Sequence, residues 1–163
     1  MANNEFAHPQ SAEPRVDSNV PEAAAVVVGS GAWRAVLLDE EGTCQSFGFG
    51  AAVVSISVPL DLDSPDAPGG AMVDAVRGAL RSTDRIGLLS PTELTVLLIP
   101  LASIHEARAI VATIDAALRQ AAGGTRVGWA LRVPRHDLLH AAAHADAAMA
   151  RARPSSRLPA RGA

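Results

Sequence analysis

A single cysteine, Cys44, occurs in 163 residues. It excludes an intrachain disulfide and a cysteine-based zinc site, and it fits a reducing compartment. A small packed or partly exposed thiol is expected there. Tyrosine is absent and aromatics make up 3% of the chain, which removes the stacking platforms that single-stranded RNA binders use. Basic residues are not in excess. The formal charge is -3, so no general positive field draws in a nucleic acid polymer. No apolar run is long enough to span a bilayer. The first residues, MANNEFAHPQ, lack a basic region followed by an apolar one, so no signal peptide is expected. A cytoplasmic protein without a membrane span is the expectation.

What the chain has is alanine and aliphatic residues, 48% hydrophobic in all. Alanine loses no side-chain entropy on folding and favours helix. Residues 1–22 are polar, with Pro9, Pro14 and Pro21 and no hydrophobic period, and read as a disordered N-terminal tail. Residues 154–163, PSSRLPARGA, read as a flexible C-terminal tail. One domain, 31–153, lies between them.

Within it the hydrophobic period alternates. Trp33, Val36 and Leu37 have helical spacing in GAWRAVLLDEE, and Gly42 is the expected stop. AAVVSISV, residues 51–58, is β-branched and alternates Val54, Ile56 and Val58 with Ser55 and Ser57, the pattern of a strand. A loop rich in Pro, Asp and Gly follows, then a helix over residues 71–82 with Met72, Val76 and Leu80 on one face. Residues 86–89 and 94–99 are apolar runs joined by Ser90-Pro91-Thr92, which predicts a hairpin. Ser103 caps a helix running to Gln120, with Glu106 closing a capping box. RVGWALRV, residues 126–133, is a strand, and residues 136–153 form an alanine-rich helix. Helices packed on one face of a mostly antiparallel sheet satisfy this order.

Four segments together resemble the GGDEF domain, the diguanylate cyclase fold of bacterial signalling proteins. AWRAVLLDE with FGFGAAVVSISV is similar to the family's first helix and strand. RSTDRIGLLSPTELTVLLIP is similar to its central hairpin, IHEARAIVATIDAAL to the next helix, and ADAAMARAR to the family's ADAALYRAK ending. The resemblance covers about residues 31–153. It implies an α/β (α+β) fold, a ferredoxin-type nucleotidyl cyclase-like sandwich with a mostly antiparallel sheet and helices on both sides.

The family's signature falls on Ser90-Pro91-Thr92-Glu93-Leu94. In active members this turn brings substrate close to backbone and supplies acidic metal contacts. Glycine serves there because it has no Cβ; proline has a fixed φ and no N–H. Thr92 has no carboxylate for Mg²⁺, which takes hard oxygen ligands. The family's metal-binding Asp at the end of the first strand falls on about Ser57. Asp61, Asp63 and Asp66 lie in the loop beyond and read as solvated acids. Phosphoryl transfer needs metal ions and a phosphate cradle, so the expectation is a pseudoenzyme with no catalytic residues, no resident cofactor and no metal.

An RxxD element remains, Arg81-Ser82-Thr83-Asp84, at the spacing of the family's inhibitory site, which binds cyclic di-GMP. A guanidinium can donate twice to guanine O6 and N7, and a carboxylate can accept from N1–H and N2–H. Placed at a helix end, the two side chains would share one side. Arg81 and Asp84 are therefore the expected ligand residues, with Arg77 and Arg85 as auxiliary phosphate contacts. The supporting arginine that many members carry on the following helix falls on Thr113, and Arg108 is displaced from it by five residues. The resemblance thus implies an inactive cyclic di-GMP receptor, with a protein partner or homodimer reading the bound state. The alternative is a nucleotide-independent interaction or dimerisation module. His136, His140 and His144 recur every four residues and read as an exposed or interface face. Trp33 and Trp129 read as packing residues.

Overall fold

A computed structural model describes residues 24–59 and 68–156. The first and last tail segments, 1–23 and 157–163, and the loop holding Asp61, Asp63 and Asp66 lie outside the described residues. Nine elements follow in chain order: β1 (Val26–Gly29), α1 (Ser30–Phe47), β2 (Gly50–Ser57), α2 (Pro68–Arg77), β3 (Arg85–Ser90), β4 (Glu93–Leu101), α3 (Ile104–Ala121), β5 (Arg126–Leu131) and α4 (Leu138–Arg151). The strands form one sheet in the order β1-β3-β4-β2-β5. β1 pairs parallel with β3, and the other three pairings are antiparallel.

The central strands β2 and β4 are apolar on both faces, so both faces need cover. Val54, Ile56, Val96 and Leu98 pack with Val76, Ile114 and Leu118 of α2 and α3. Val53, Leu97 and Ile99 pack with Trp33 and Leu37 of α1 and with Leu138 and Ala141 of α4. Helices therefore lie on both sides, as the family resemblance implies, and the one-face arrangement read from element order is corrected. The continuous run LTVLLI carries the reason: a strand facing solvent on one side would alternate.

Several boundaries also differ from expectation, and the helix expected over 71–82 spans Pro68–Arg77. α1 runs straight through Gly42 and ends five residues beyond it, at Phe47. Gly48 takes the left-handed conformation (φ 69°) and its N–H donates to the Cys44 carbonyl, a glycine C-cap. The folded part also reaches past the expected C-terminal boundary. Ser155 donates its N–H to the Thr125 carbonyl and accepts from the Gly124 N–H, both at 2.8 Å.

Helix α4 lies close against β5. A Cβ on Gly128 would stand 2.0 Å from the Met149 backbone nitrogen and 2.5 Å from the Ala145 carbonyl oxygen. Only glycine permits that approach. An ion pair ties the same layer together. The Glu41 carboxylate of α1 accepts from Arg132 Nε (2.9 Å) and Nη2 (2.7 Å), from the Leu138 N–H at the start of α4 (2.9 Å) and from Gln45 Nε2 (2.9 Å). The Arg132 guanidinium holds the Glu41 carboxyl below its usual range against the opposing effect of burial. Burial pushes the Cys44 thiol up, as expected of a packed cysteine.

Candidate functional site

Arg81 and Asp84 do not sit on a helix end. α2 stops at Arg77, and the pair lies in the turn that leads into β3. The turn closes with an Asp84 N–H to Arg81 carbonyl bond of 3.1 Å, which brings the side chains together without helical geometry. Asp84 is fully buried. Its Oδ1 accepts from Arg81 Nη2 (3.0 Å) and from the Ile99 N–H of β4 (3.1 Å). Its Oδ2 accepts from the Arg81 N–H (2.9 Å) and from Arg81 Nε (3.3 Å). A buried carboxylate is stable only when paired and bonded in this way.

The far side of the Arg81 guanidinium donates from Nη1 to Glu106 Oε1 at 2.6 Å. Glu106 is held in turn by the start of α3: its N–H donates to Ser103 Oγ (3.2 Å), and its Oε2 accepts from the Ala102 N–H (2.7 Å). The capping box expected at Ser103 therefore forms with its reciprocal bond shifted one residue back. One side of Arg81 remains open, since its side chain is 37% exposed. The Asp84 carboxylate, with Glu106 beside it, raises the Arg81 guanidinium further above its ordinary range. An arginine has five N–H donors. Nε, one on Nη1 and one on Nη2 are engaged, which leaves one on each terminal nitrogen.

Arg77 and Arg85 are engaged elsewhere. Arg77 pairs with Asp74 at 3.1 Å on α2. Arg85 donates to the Thr83 carbonyl (2.6 Å) and pairs with Glu40 of α1 (3.2 Å), so its guanidinium is drawn toward the α1 layer while Arg81 is drawn toward α3. Thr113 is exposed on α3 and turns its hydroxyl back to the Ala109 carbonyl, 3.0 Å away. Arg108 lines a groove between α3 and β5 rather than approaching Arg81.

At the hairpin tip, Ser90 and Thr92 hydroxyls lie 3.3 Å apart. Ser57 stands opposite Glu93 in the ladder, beside the hairpin tip. Ser55 is buried and donates to Asp146 Oδ1 of α4 at 2.5 Å. Ser55, Glu93 and Asp146 line a small cleft of about 210 Å³. Asp146 was not foreseen as part of this cleft, because nothing in ADAAMARAR says which strand α4 will cover. The donor set does not fit a resident divalent cation. One carboxylate is tied to Ser55, the turn supplies hydroxyls, and among the described residues no group of three or more His, Cys, Asp or Glu is placed to hold a metal. His136, His140 and His144 share one exposed face, the first two rings stacked with centroids 4.0 Å apart and the last two tilted at 4.4 Å.

No protein-family model matches the sequence, and no curated protein matches it. Solved structures do match. The GGDEF domain of YfiN (also TpbB) from Pseudomonas aeruginosa is 27% identical with a TM-score of 0.65, covering 81% of this chain and 90% of that one. This chain has a GGDEF-like fold. The GGDEF domain of DgcB from Caulobacter crescentus, solved in complex with cyclic di-GMP, is 12% identical with a TM-score of 0.57, covering 76% of this chain and 84% of that one. The diguanylate cyclase SiaD of Pseudomonas aeruginosa, solved with its activator SiaC, is 17% identical with a TM-score of 0.65, covering 75% of this chain and 53% of that one. No helix among the described residues is long and apolar enough to cross a membrane.

Proposed function

We propose that this GGDEF-like domain is catalytically inactive and binds cyclic di-GMP through the open side of Arg81. The observation that carries the reading is the fixed guanidinium. Asp84 and Glu106 grip it from two sides and leave one donor free on each terminal nitrogen. Two such donors match the O6 and N7 acceptors of guanine. Preorganisation of this kind lowers the entropy lost on binding. Asp84 has a different role from the one its motif implies. Its carboxylate is enclosed and fully bonded, so it positions Arg81 and does not itself receive the guanine N–H groups. Cyclic di-GMP is the ligand of the DgcB domain, which shares the fold.

The inactive reading rests on the tip. By the sequence resemblance, Ser90, Pro91, Thr92 and Ser57 fall at positions where active members carry glycines and metal carboxylates, and Glu93 is the acid that remains. GTP incubated with Mg²⁺ or Mn²⁺ is expected to stay unconverted; turnover abolished by Glu93→Gln would show the enzyme intact.

Calorimetric titration of cyclic di-GMP tests the receptor. Binding is expected to fall at least tenfold in Arg81→Lys, which keeps a cation beside Asp84 but loses the planar fork. Equal affinity in Arg81→Lys and the unmodified protein removes Arg81 from the site.

A second reading has its own observation. Phe47 and Phe49 stack at 5.6 Å between centroids and are 70% and 39% exposed. An exposed aromatic pair marks a surface for a protein partner or a second copy. Partner capture that ignores nucleotide and is lost in Phe47→Ser would favour the interaction module.

A further inference from the structure

A concavity of the described surface runs along α3 from Arg108 to Arg119. It occupies about 560 Å³ between α3, β5 and the segment after α4. Its origin is topological. β5 is an edge strand paired only with β2, and α3 covers the middle of the sheet, where Ile114 and Leu118 are buried. The outer strip of β5 is left half-covered, with Val127 and Trp129 forming a floor.

The rim is basic. Arg108 and Arg119 come from α3 and Arg153 from the segment after α4, against one carboxylate, Asp115. Asp115 is bonded to Arg119. Arg108 and Arg153 are exposed and have no ion-pair partner among the described residues. Three guanidinium groups around one concavity stand out in a chain whose net charge is -3. The wall that carries Arg153 is anchored. Ser155 is held to Gly124 and Thr125 by two backbone bonds of 2.8 Å, and the Thr125 and Ser155 hydroxyls meet at 2.6 Å.

We infer that this groove binds a nucleoside phosphate, with its ring on Trp129 and its phosphates on Arg108 and Arg153. The size is that of a small-molecule site. An indole face takes a planar ring by stacking. Guanidinium groups bind phosphate through paired, charge-assisted hydrogen bonds. An extended nucleic acid does not fit, because the groove offers one aromatic platform and the rest of the chain is acidic. The site is separate from the Arg81 turn and does not depend on its function.

Tryptophan fluorescence reads the site directly. Trp33 is 6% exposed and packed in the core, so quenching by a groove ligand reports Trp129. Titration with GDP and ADP is expected to quench saturably. Arg108→Ala and Arg153→Ala, each at an exposed and unpaired position, should weaken binding about tenfold apiece while leaving the far-ultraviolet dichroism unchanged. Arg81→Lys should leave it unaltered, which separates this site from the proposed cyclic di-GMP site. Pyrophosphate, the same anion without a ring, should bind at least tenfold more weakly than either nucleotide. Three results would each overturn the inference: no saturable quenching, affinity indifferent to both arginines, or pyrophosphate binding as well as the nucleotides.

Discussion

Replacing Glu41 by alanine tests the ion pair that ties α1 to the start of α4. The Glu41 carboxylate accepts four hydrogen bonds from three parts of the chain: α1 through Gln45, the end of β5 through Arg132, and the first turn of α4 through Leu138. The side chains of the pair are 10% and 14% exposed. Loss of the carboxylate strands the Arg132 charge in a site with little access to water and leaves the Leu138 N–H without an acceptor. Removing one partner of a buried pair costs about 3–5 kcal/mol, against about 0–1 kcal/mol for an exposed one. Urea unfolding should show the midpoint falling by the larger amount with an unchanged m-value. The pH dependence follows from the same contacts. Arg132, foremost, lowers the folded-state pKa of Glu41 beneath its unfolded value near 4.5. The contribution is therefore complete above the unfolded pKa and lost as pH falls through the folded one. The difference between unmodified protein and Glu41→Ala should be constant from neutral pH to about pH 5.5 and shrink below about pH 4.5. A loss below about 1 kcal/mol, the value of a surface pair, or a gap that does not narrow in acid, would refute the reasoning.

Two further substitutions probe the packing and the turn. Gly128→Ala pushes a methyl carbon against backbone atoms of α4 at 2.0 and 2.5 Å; overpacking of this kind costs about 1–3 kcal/mol, and the thermal midpoint should fall accordingly, whereas an unchanged midpoint would mean that α4 shifts freely. Asp84→Ala leaves the Ile99 N–H without its acceptor and removes the main partner of Arg81; stability measured in urea should drop by about 3 kcal/mol, and a drop of a few tenths would mean that the pair is merely superficial.

The hairpin, the α3 cap and the alternating element order were legible because each depends on residues near one another in the chain. Ser103 binds the Glu106 N–H three positions on, and the strands on either side of Pro91 meet through a short turn. What sequence could not show depends on distance. Glu41 and Arg132 are separated by 91 positions. β1 has no alternation to announce it. VVV before Gly29 becomes a strand only through its parallel register with β3, where Val27 stands opposite Ile86. Gly42 looked like a stop because glycine weakens a helix by about 1 kcal/mol, but Trp33, Leu37, Glu41 and Cys44 form one buried stripe that carries α1 across it. The stripe outweighs the single unfavourable residue.

In the Arg81-Asp84 turn the two residues of the motif differ in environment. Spacing alone makes an arginine and a carboxylate equal candidates for contact with a guanine. Burial separates them. Asp84 accepts the Ile99 N–H from β4, which an exposed ligand-binding carboxylate would not need to do, and it thereby fastens the turn to the sheet. Arg81 bridges that fixed carboxylate to Glu106 on α3, so the guanidinium joins the turn, β4 and α3 at one point. Anything that binds its open side must act on a group coupled to all three. A ligand there can stabilise the α3 layer relative to the sheet by an amount set by its preference for the bridged state. Glu106→Gln isolates that coupling. It keeps one carbonyl acceptor, enough for the Ala102 N–H or for Arg81 but not for both, and removes the second charge, so the domain should lose about 1 kcal/mol of stability. Under the receptor reading, the stabilisation that cyclic di-GMP confers on α3 amides in hydrogen exchange should fall with it. Undiminished protection in Glu106→Gln would mean that the ligand reaches α3 by some route other than Arg81.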